Sequence, residues 1–281
     1  MGKLTDWHTH CYLPEHRSAE EVELQKRRNV AGSGQANPDL FEASLNLGGI
    51  EQFVLVTLPS FGDTRQPHDF IAEVVSKYAG RAVGFASVNP ADSGAGDEFE
   101  RAVTKLGMKG LKLSPTYMAA DPRSKEWFEI YEIALAHEVP VMFHCGGAYT
   151  GSLEFADPVL LDKVAMTYPD LKIIVAHFGQ PYMEQTAILM RKNENVYADI
   201  SARTHRPWQL YNGIMIALEY KVAGRLLFGT DFPVREHKTA VDELRNINNW
   251  GQGINMPQIP EEFIQELLYE RPLSMLGIAP D

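Results

Sequence analysis

Basic residues are in short supply: 26 Lys and Arg stand against 37 Asp and Glu, a formal net charge of −11. A chain this acidic is a poor partner for nucleic acid or an anionic membrane through its overall field. A local basic pocket for a small anion is still compatible with it. Cysteine is almost absent, with only Cys11 and Cys145. That excludes a disulfide framework and makes a reduced, cytoplasmic setting the natural expectation. No apolar run approaches the roughly 18 residues that span a bilayer. The opening Met-Gly-Lys-Leu-Thr-Asp carries no apolar signal-peptide core, and there is no Asn-x-Ser/Thr sequon. Low-complexity tracts and a second-domain boundary are also missing, so residues 1–281 are expected to form one domain.

What the chain does contain is a regular alternation. Short β-rich apolar runs at 3–7, 50–57, 82–86, 109–113, 140–143, 171–176, 195–200 and 225–228 are each followed by a segment of helical periodicity. After a longer first gap, the spacing is roughly 24 to 32 residues, room for one strand, one helix and two loops. Such order argues for a parallel α/β sheet, and eight repeats favour a closed (β/α)8 barrel, although counting alone leaves an open doubly wound sheet in play. Helices are expected over 67–79, 157–168 (Asp157 as N-cap, Pro158 following), 181–192, 207–220 and 260–276, the last interrupted at Pro272. The long first gap, 11–38, holds a charged run from Glu15 to Arg28 and a Gly-rich stretch. It reads as an insertion over the barrel mouth, either a lid or a solvated loop.

Chemistry concentrates where the strands stop. The first ends in Asp6-Trp7-His8-Thr9-His10, and residues i and i+2 of a strand point the same way, so His8 and His10 project together. The fifth ends at His144, the sixth at His177 and the eighth at Asp231. In a barrel such positions converge on the C-terminal mouth, where active sites sit. Cys11 and Cys145 each follow a proposed ligand by one residue, so alternation turns the thiols away, as small buried hydrophobes. His16, His68, His137 and His237 read as surface residues.

With these positions in hand, the sequence resembles the amidohydrolase superfamily, in particular the amidohydrolase 2 branch related to aminocarboxymuconate-semialdehyde decarboxylase and pyrone dicarboxylate lactonase. The resemblance runs over nearly the whole chain. It rests on His8 and His10, Val83-Gly-Phe-Ala-Ser-Val-Asn-Pro90, Gly110-Leu-Lys112-Leu-Ser-Pro115, His144, Ala176-His177-Phe-Gly179 and Gly229-Thr-Asp231-Phe-Pro233. It implies a TIM barrel in which His8, His10, His144 and Asp231 bind one divalent metal, with Zn²⁺ the preferred ion for a set of imidazoles and one carboxylate. His177 would then sit beside the activated water, with Asp231 as proton shuttle. The lactonase relative hydrolyses without metal, so a metal-free site, with Asp231 alone activating water, stays open on this resemblance.

Lys112 reads as a contact to substrate or to a neighbouring carboxylate; a carboxylated lysine bridging two metals is the alternative. Arg203 is the preferred anchor for a small-molecule carboxylate substrate. Arg65, Arg123 and Tyr149 are further candidates, and a surface ion pair is the plain alternative for each arginine. The leading functional expectation is a metal-dependent hydrolase of a small carboxylate-bearing lactone, amide or ester. A metal-dependent decarboxylase of an aromatic or muconate-type acid uses the same ligands. A non-catalytic ligand-binding barrel is disfavoured because no polar strand end has been lost. Homodimers are common in the family.

Overall fold

The computed structural model describes residues 2–27, 35–58, 66–148, 150–253 and 255–280. The eight expected runs are the eight strands, each boundary lying within two residues of its expected place: β1 Thr5–Thr9, β2 Gln52–Val56, β3 Ala82–Ser87, β4 Leu111–Leu113, β5 Val141–His144, β6 Ile173–Ala176, β7 Val196–Asp199 and β8 Leu226–Leu227. They pair in sequence order and in parallel. The ring closes as Trp7 N donates to Phe228 O at 2.8 Å, Asp231 N to His8 O at 2.7 Å and His10 N to Phe232 O at 3.1 Å. This is a (β/α)8 TIM barrel.

Alternation along the strands divides the core in two. Outward residues such as Phe53, Leu55, Leu111, Phe143 and Val175 pack against the helix ring. Inward residues Val54, Val56, Val83, Phe85, Met142, Ile174 and Leu227 fill the barrel together with Trp7. Burying each large side chain contributes roughly 1.5–3 kcal/mol. Leu273, Leu276 and Ile278 of the tail join the inner cluster, plugging the N-terminal end, where Lys172 just before β6 donates to Leu276 O at 2.8 Å. The opposite end is left for the polar residues.

The helices confirm the expected pattern with adjustments. The helix expected over 67–79 is His68–Ser76, and that expected over 157–168 is a 3-10 turn, Pro158–Leu160, leading into Leu161–Thr167. Asp157 caps it by accepting from Val159 N. Met183–Lys192 begins after Pro181, and the tail breaks at Pro272 between Glu261–Tyr269 and Leu273–Leu276. Within the 11–38 insertion a 3-10 turn (Pro14–His16) and a helix (Ala19–Arg27) are present, while residues 28–34 lie outside those described. Tyr12 N donates to Ala36 O at 2.7 Å, pinning the insertion's two ends. Pro38 belongs to the next helix, Pro38–Gly48, which Asn37 caps by accepting from Leu40 N.

Two histidines read as surface residues are buried. His68 bonds Glu98 at 2.6 Å through Nδ1. His237, fully buried, starts the helix that packs on Pro38–Gly48. Its Nδ1 meets Ser44 Oγ at 2.8 Å, its Nε2 meets Thr9 Oγ1 at 3.1 Å, and its ring stacks on Phe232. The reason is tertiary: a histidine at a helix start looks exposed until the helix is laid against a neighbour remote in sequence. Burial pushes His237 down to about 3. The unfolded chain therefore takes up a proton near its ordinary value, 6.5, which the folded chain refuses until far lower pH, so stability falls as pH drops through that window. His237→Gln should lose about 1–3 kcal/mol at pH 7 through its orphaned partners. It should also show a shallower loss of stability on acidification, as urea midpoints at several pH values would report; an unchanged slope would contradict this.

Candidate active site

The site is built from strand ends. In β1 the register slips, Asp6 pairing with Phe53 but Thr9 with Leu55. Three steps on β1 thus match two on β2, a β-bulge. Its consequence is that both Trp7 and His8 face inward: Trp7 joins the inner cluster, while His8 reaches Lys112 and Asp199. His10 follows on the inner side. Asp6 is turned to β8 instead, where it accepts from His8 N at 2.9 Å, Thr230 N at 3.2 Å and Thr230 Oγ1 at 2.7 Å. Burial raises its carboxyl to about 7, against the pull of those hydrogen bonds.

Beyond β6, β7 and β8 the chain turns through left-handed backbone at non-glycine residues: His177 (φ 59°), Phe178 (49°), Ala202 (55°) and Asp231 (57°). Such conformations cost energy and persist where the surroundings enforce them, often at functional sites. Gly229 is required by proximity, since a Cβ there would lie 3.0 Å from His8 Cβ and 3.1 Å from Ser201 Cβ.

Hydrogen bonds fix which nitrogen of each ring carries the proton. His10 Nδ1 lies 2.8 Å from Val56 O, and a carbonyl only accepts, so Nδ1 is the donor. Its Nε2 is then a lone pair, yet it sits 3.0 Å from Asp231 Oδ1. His8 Nδ1 lies 3.0 Å from Asp199 Oδ2, which leaves its Nε2 a lone pair too. That nitrogen is 3.6 Å from Asp231 Oδ1 and 3.4 Å from the Lys112 ammonium, which donates to it. Ser201 Oγ gives its hydrogen to Asp199 Oδ1 in a short contact and therefore accepts from His177 Nδ1 at 2.8 Å. Three imidazoles are thus held by Nδ1, with no proton of their own on Nε2.

The charges fit this picture. Burial lowers His8, drives His144 well down and takes His177 to about 3, so all three are neutral at pH 7. Burial alone would raise Asp199 and Asp231. The neighbouring His8 ring beside Asp199, and the neighbouring His10 and His8 rings beside Asp231, hold both below the ordinary carboxylate range. Lys112 is lowered by burial to about 8, with Asp199 and Asp231 resisting the shift.

His8, His10 and Asp231 offer ligand atoms within 4.8 Å of one another. Two imidazole lone pairs facing a carboxylate oxygen with no proton between them is an arrangement that a cation completes. His144 Nε2 is buried without a hydrogen-bond partner among the described residues. Its ring lies 5.0 Å from that of His177 and 4.8 Å from that of Tyr117. The donor set therefore fits a divalent metal. In a second close group, His8, His177 and Asp199, His8 Nδ1 and Asp199 Oδ2 are bonded to each other and His177 Nδ1 to Ser201.

Of the expected substrate contacts, Lys112 lies in the cluster. Arg203 stands at its rim, its Nη1 donating to Gln180 Oε1 at 3.0 Å, and Gln180 is in the loop after His177. Arg123 is outside the cluster, its fork taken by Asp121 at 2.7 and 2.8 Å. Arg65 and Tyr149 lie outside the described residues. Cys11 and Cys145 are buried free thiols in the strand–helix layer, and burial pushes both up to about 12, far from a nucleophilic thiolate. Asp199 and Ser201 were missed. The available signal was the one that marked His144: an apolar run, Val196-Tyr-Ala, stopping on one polar side chain.

The sequence profile of the Amidohydrolase family matches residues 5–277. No curated protein sequence matches the chain. Among solved structures, it is similar to an uncharacterised TIM-barrel protein from Bordetella bronchiseptica (19% identity, 98% of this chain and 100% of that one, TM-score 0.75). It is also similar to a dihydroxybenzoic acid decarboxylase from Polaromonas sp. JS666 with bound manganese and 2-nitroresorcinol (20%, 98% and 97%, TM-score 0.69). A third is a probable 2-pyrone-4,6-dicarboxylic acid hydrolase from Acinetobacter baumannii with citric acid bound (16%, 99% and 100%, TM-score 0.63). At these identities the likeness speaks for the fold, and the profile over almost the full length places the chain in the amidohydrolase family, in its amidohydrolase 2 branch.

Proposed function

We propose that the chain is a metal-dependent hydrolase of a small carboxylate-bearing lactone, ester or amide. The observation that carries this is the convergence of the His8 and His10 Nε2 lone pairs on Asp231 Oδ1, with the unpartnered His144 Nε2 alongside. These four residues would hold one divalent ion, and nitrogen donors with a single carboxylate suit Zn²⁺, with Mn²⁺ the main competitor. When bound, such an ion would supply Lewis acidity for a carbonyl oxygen and for water.

The chain's own residues do the rest. His177, donating through Nδ1 to Ser201, presents Nε2 as an acceptor only. That neutral ring, fixed by its bond to Ser201, orients a water by accepting its hydrogen bond. The ionised Asp231 carboxylate receives the water's proton as the new C–O bond forms. It returns the proton to the leaving oxygen or nitrogen as the old bond breaks. The cluster is rich in acceptors, with Lys112 its cationic donor among the described residues, which suits the water activation that hydrolysis needs.

Charge favours an anionic substrate. Asp199 and Asp231 against Lys112 leave one net negative charge, and a divalent ion would convert it to one positive charge. A single carboxylate restores neutrality in a buried site where unbalanced charge is costly. Arg203, at the rim, is the proposed fork for that carboxylate.

Three outcomes test the proposal on a screen of lactones, esters and amides bearing a carboxylate. Asp231→Asn should lower kcat by about 10²–10⁴-fold, the range of a lost general acid–base group. His177→Asn should do likewise while keeping its metal. Arg203→Met should raise KM by about 10–100-fold with kcat little changed, the worth of one charge-assisted contact. Release of CO₂ without any hydrolytic product would replace hydrolysis by decarboxylation.

A further inference from the structure

One carboxylate touches both halves of the cluster. Asp199, fully buried at the end of β7, accepts four donors. Oδ1 takes His177 N at 3.0 Å, Ser201 N at 2.9 Å and the Ser201 hydroxyl; Oδ2 takes His8 Nδ1 at 3.0 Å. The hydroxyl, its hydrogen committed to Asp199, offers lone pairs to His177 Nδ1 at 2.8 Å and to His8 Nδ1 at 3.1 Å. Neither Asp199 nor Ser201 exchanges a proton with the substrate or the water in the reaction proposed above.

We infer that Asp199 and Ser201 are positioning residues which set the tautomers of His8 and His177 together, holding both rings as Nδ1–H so that both Nε2 atoms are presented as lone pairs. The inference rests on the proposed metal site only for its consequence; the tautomers themselves are a property of this chain. It also makes Asp199 a partner of His8 rather than a ligand. A carboxylate behind a ligating imidazole fixes its orientation and strengthens its donor atom.

Replacement by asparagine exposes the logic. The amide oxygen must take the Oδ1 position, where three donors converge. The NH₂ group is thereby forced onto the Oδ2 position, facing His8 Nδ1. His8 can accept from it only by moving its proton to Nε2, the atom that faces Asp231. Shape and size are nearly kept, and the lone pair is lost. Ser201→Ala acts on the other ring: His8 keeps its bond to Asp199, whereas His177 Nδ1 retains only the longer contact to Ser201 O at 3.3 Å.

The test is long-range ¹H–¹⁵N correlation spectroscopy of the histidine rings in the metal-free full chain, with zinc affinity measured in parallel by calorimetry with zinc chloride. In the unmodified chain both rings should report Nδ1–H. In Asp199→Asn, His8 should switch to Nε2–H and zinc should bind about 10–100-fold more weakly, the usual cost of losing such a partner. In Ser201→Ala, His8 should be unchanged and His177 should become a mixture. A His8 ring that stays Nδ1–H in a folded Asp199→Asn overturns the inference. Should that variant not fold, an unaltered His177 in Ser201→Ala overturns it instead. An unmodified chain that shows both Nδ1–H rings but takes up no zinc upholds this inference and refutes the metal reading.

Discussion

Closure of the ring between β1 and β8 is the constraint on which the rest depends. The seam is held by main-chain bonds from Trp7, His10 and Asp231 and by the buried Asp6 carboxyl gripping Thr230. Because Asp231 N donates to His8 O, the carboxylate that follows β8 is delivered to the imidazoles of β1 by the same contact that shuts the barrel. The bulge in β1 then sets the depth of each group, leaving Trp7 to pack the interior and His8 to begin the polar layer above it. Stability and site geometry are therefore one problem at this seam: loosening it would open the barrel and separate Asp231 from His8 and His10 together.

Above that seam, the mouth keeps its groups in chemically useful forms mainly by burial. The rings are buried, so the imidazoles are neutral and offer lone pairs. Asp199 stays ionised because hydrogen-bond donors surround it, whereas Asp231 faces imidazole lone pairs. Such a set is costly to assemble without a cation, since acceptors face acceptors. The left-handed turns at His177, Ala202 and Asp231 add backbone strain in the same small region. Stabilisation is available elsewhere, in the apolar layer between strands and helices and in the tail that plugs the opposite end.

Much of this was legible in the sequence, for identifiable reasons. Periodicity gave the strands, because a parallel barrel strand is buried on both sides and reads as a short apolar run. Polar residues terminating such runs gave His144, His177 and Asp231, and the two-residue spacing gave His8 with His10. Strand alternation could not show the β1 bulge, since it has no local signature in Asp-Trp-His-Thr-His. His68 and His237 were misjudged because their burial depends on partners far along the chain, Glu98 and Ser44 among them. Arg123 carried its answer two residues away in Asp121, a local pair that spacing alone exposes. Asp199 had the same strand-end signal as its neighbours. It escaped notice because its bonds to His8, His177 and Ser201 join three separate strand ends and emerge only when they can be followed atom by atom.

The central claim is that His8, His10, His144 and Asp231 together hold one divalent ion. Elemental analysis of the purified chain beside its His8→Ala variant tests it most directly. About one zinc or manganese per chain, lost in the variant while the fold is kept, is the expected result for a mononuclear site. A folded chain that contains no metal and takes none up from added zinc would contradict it.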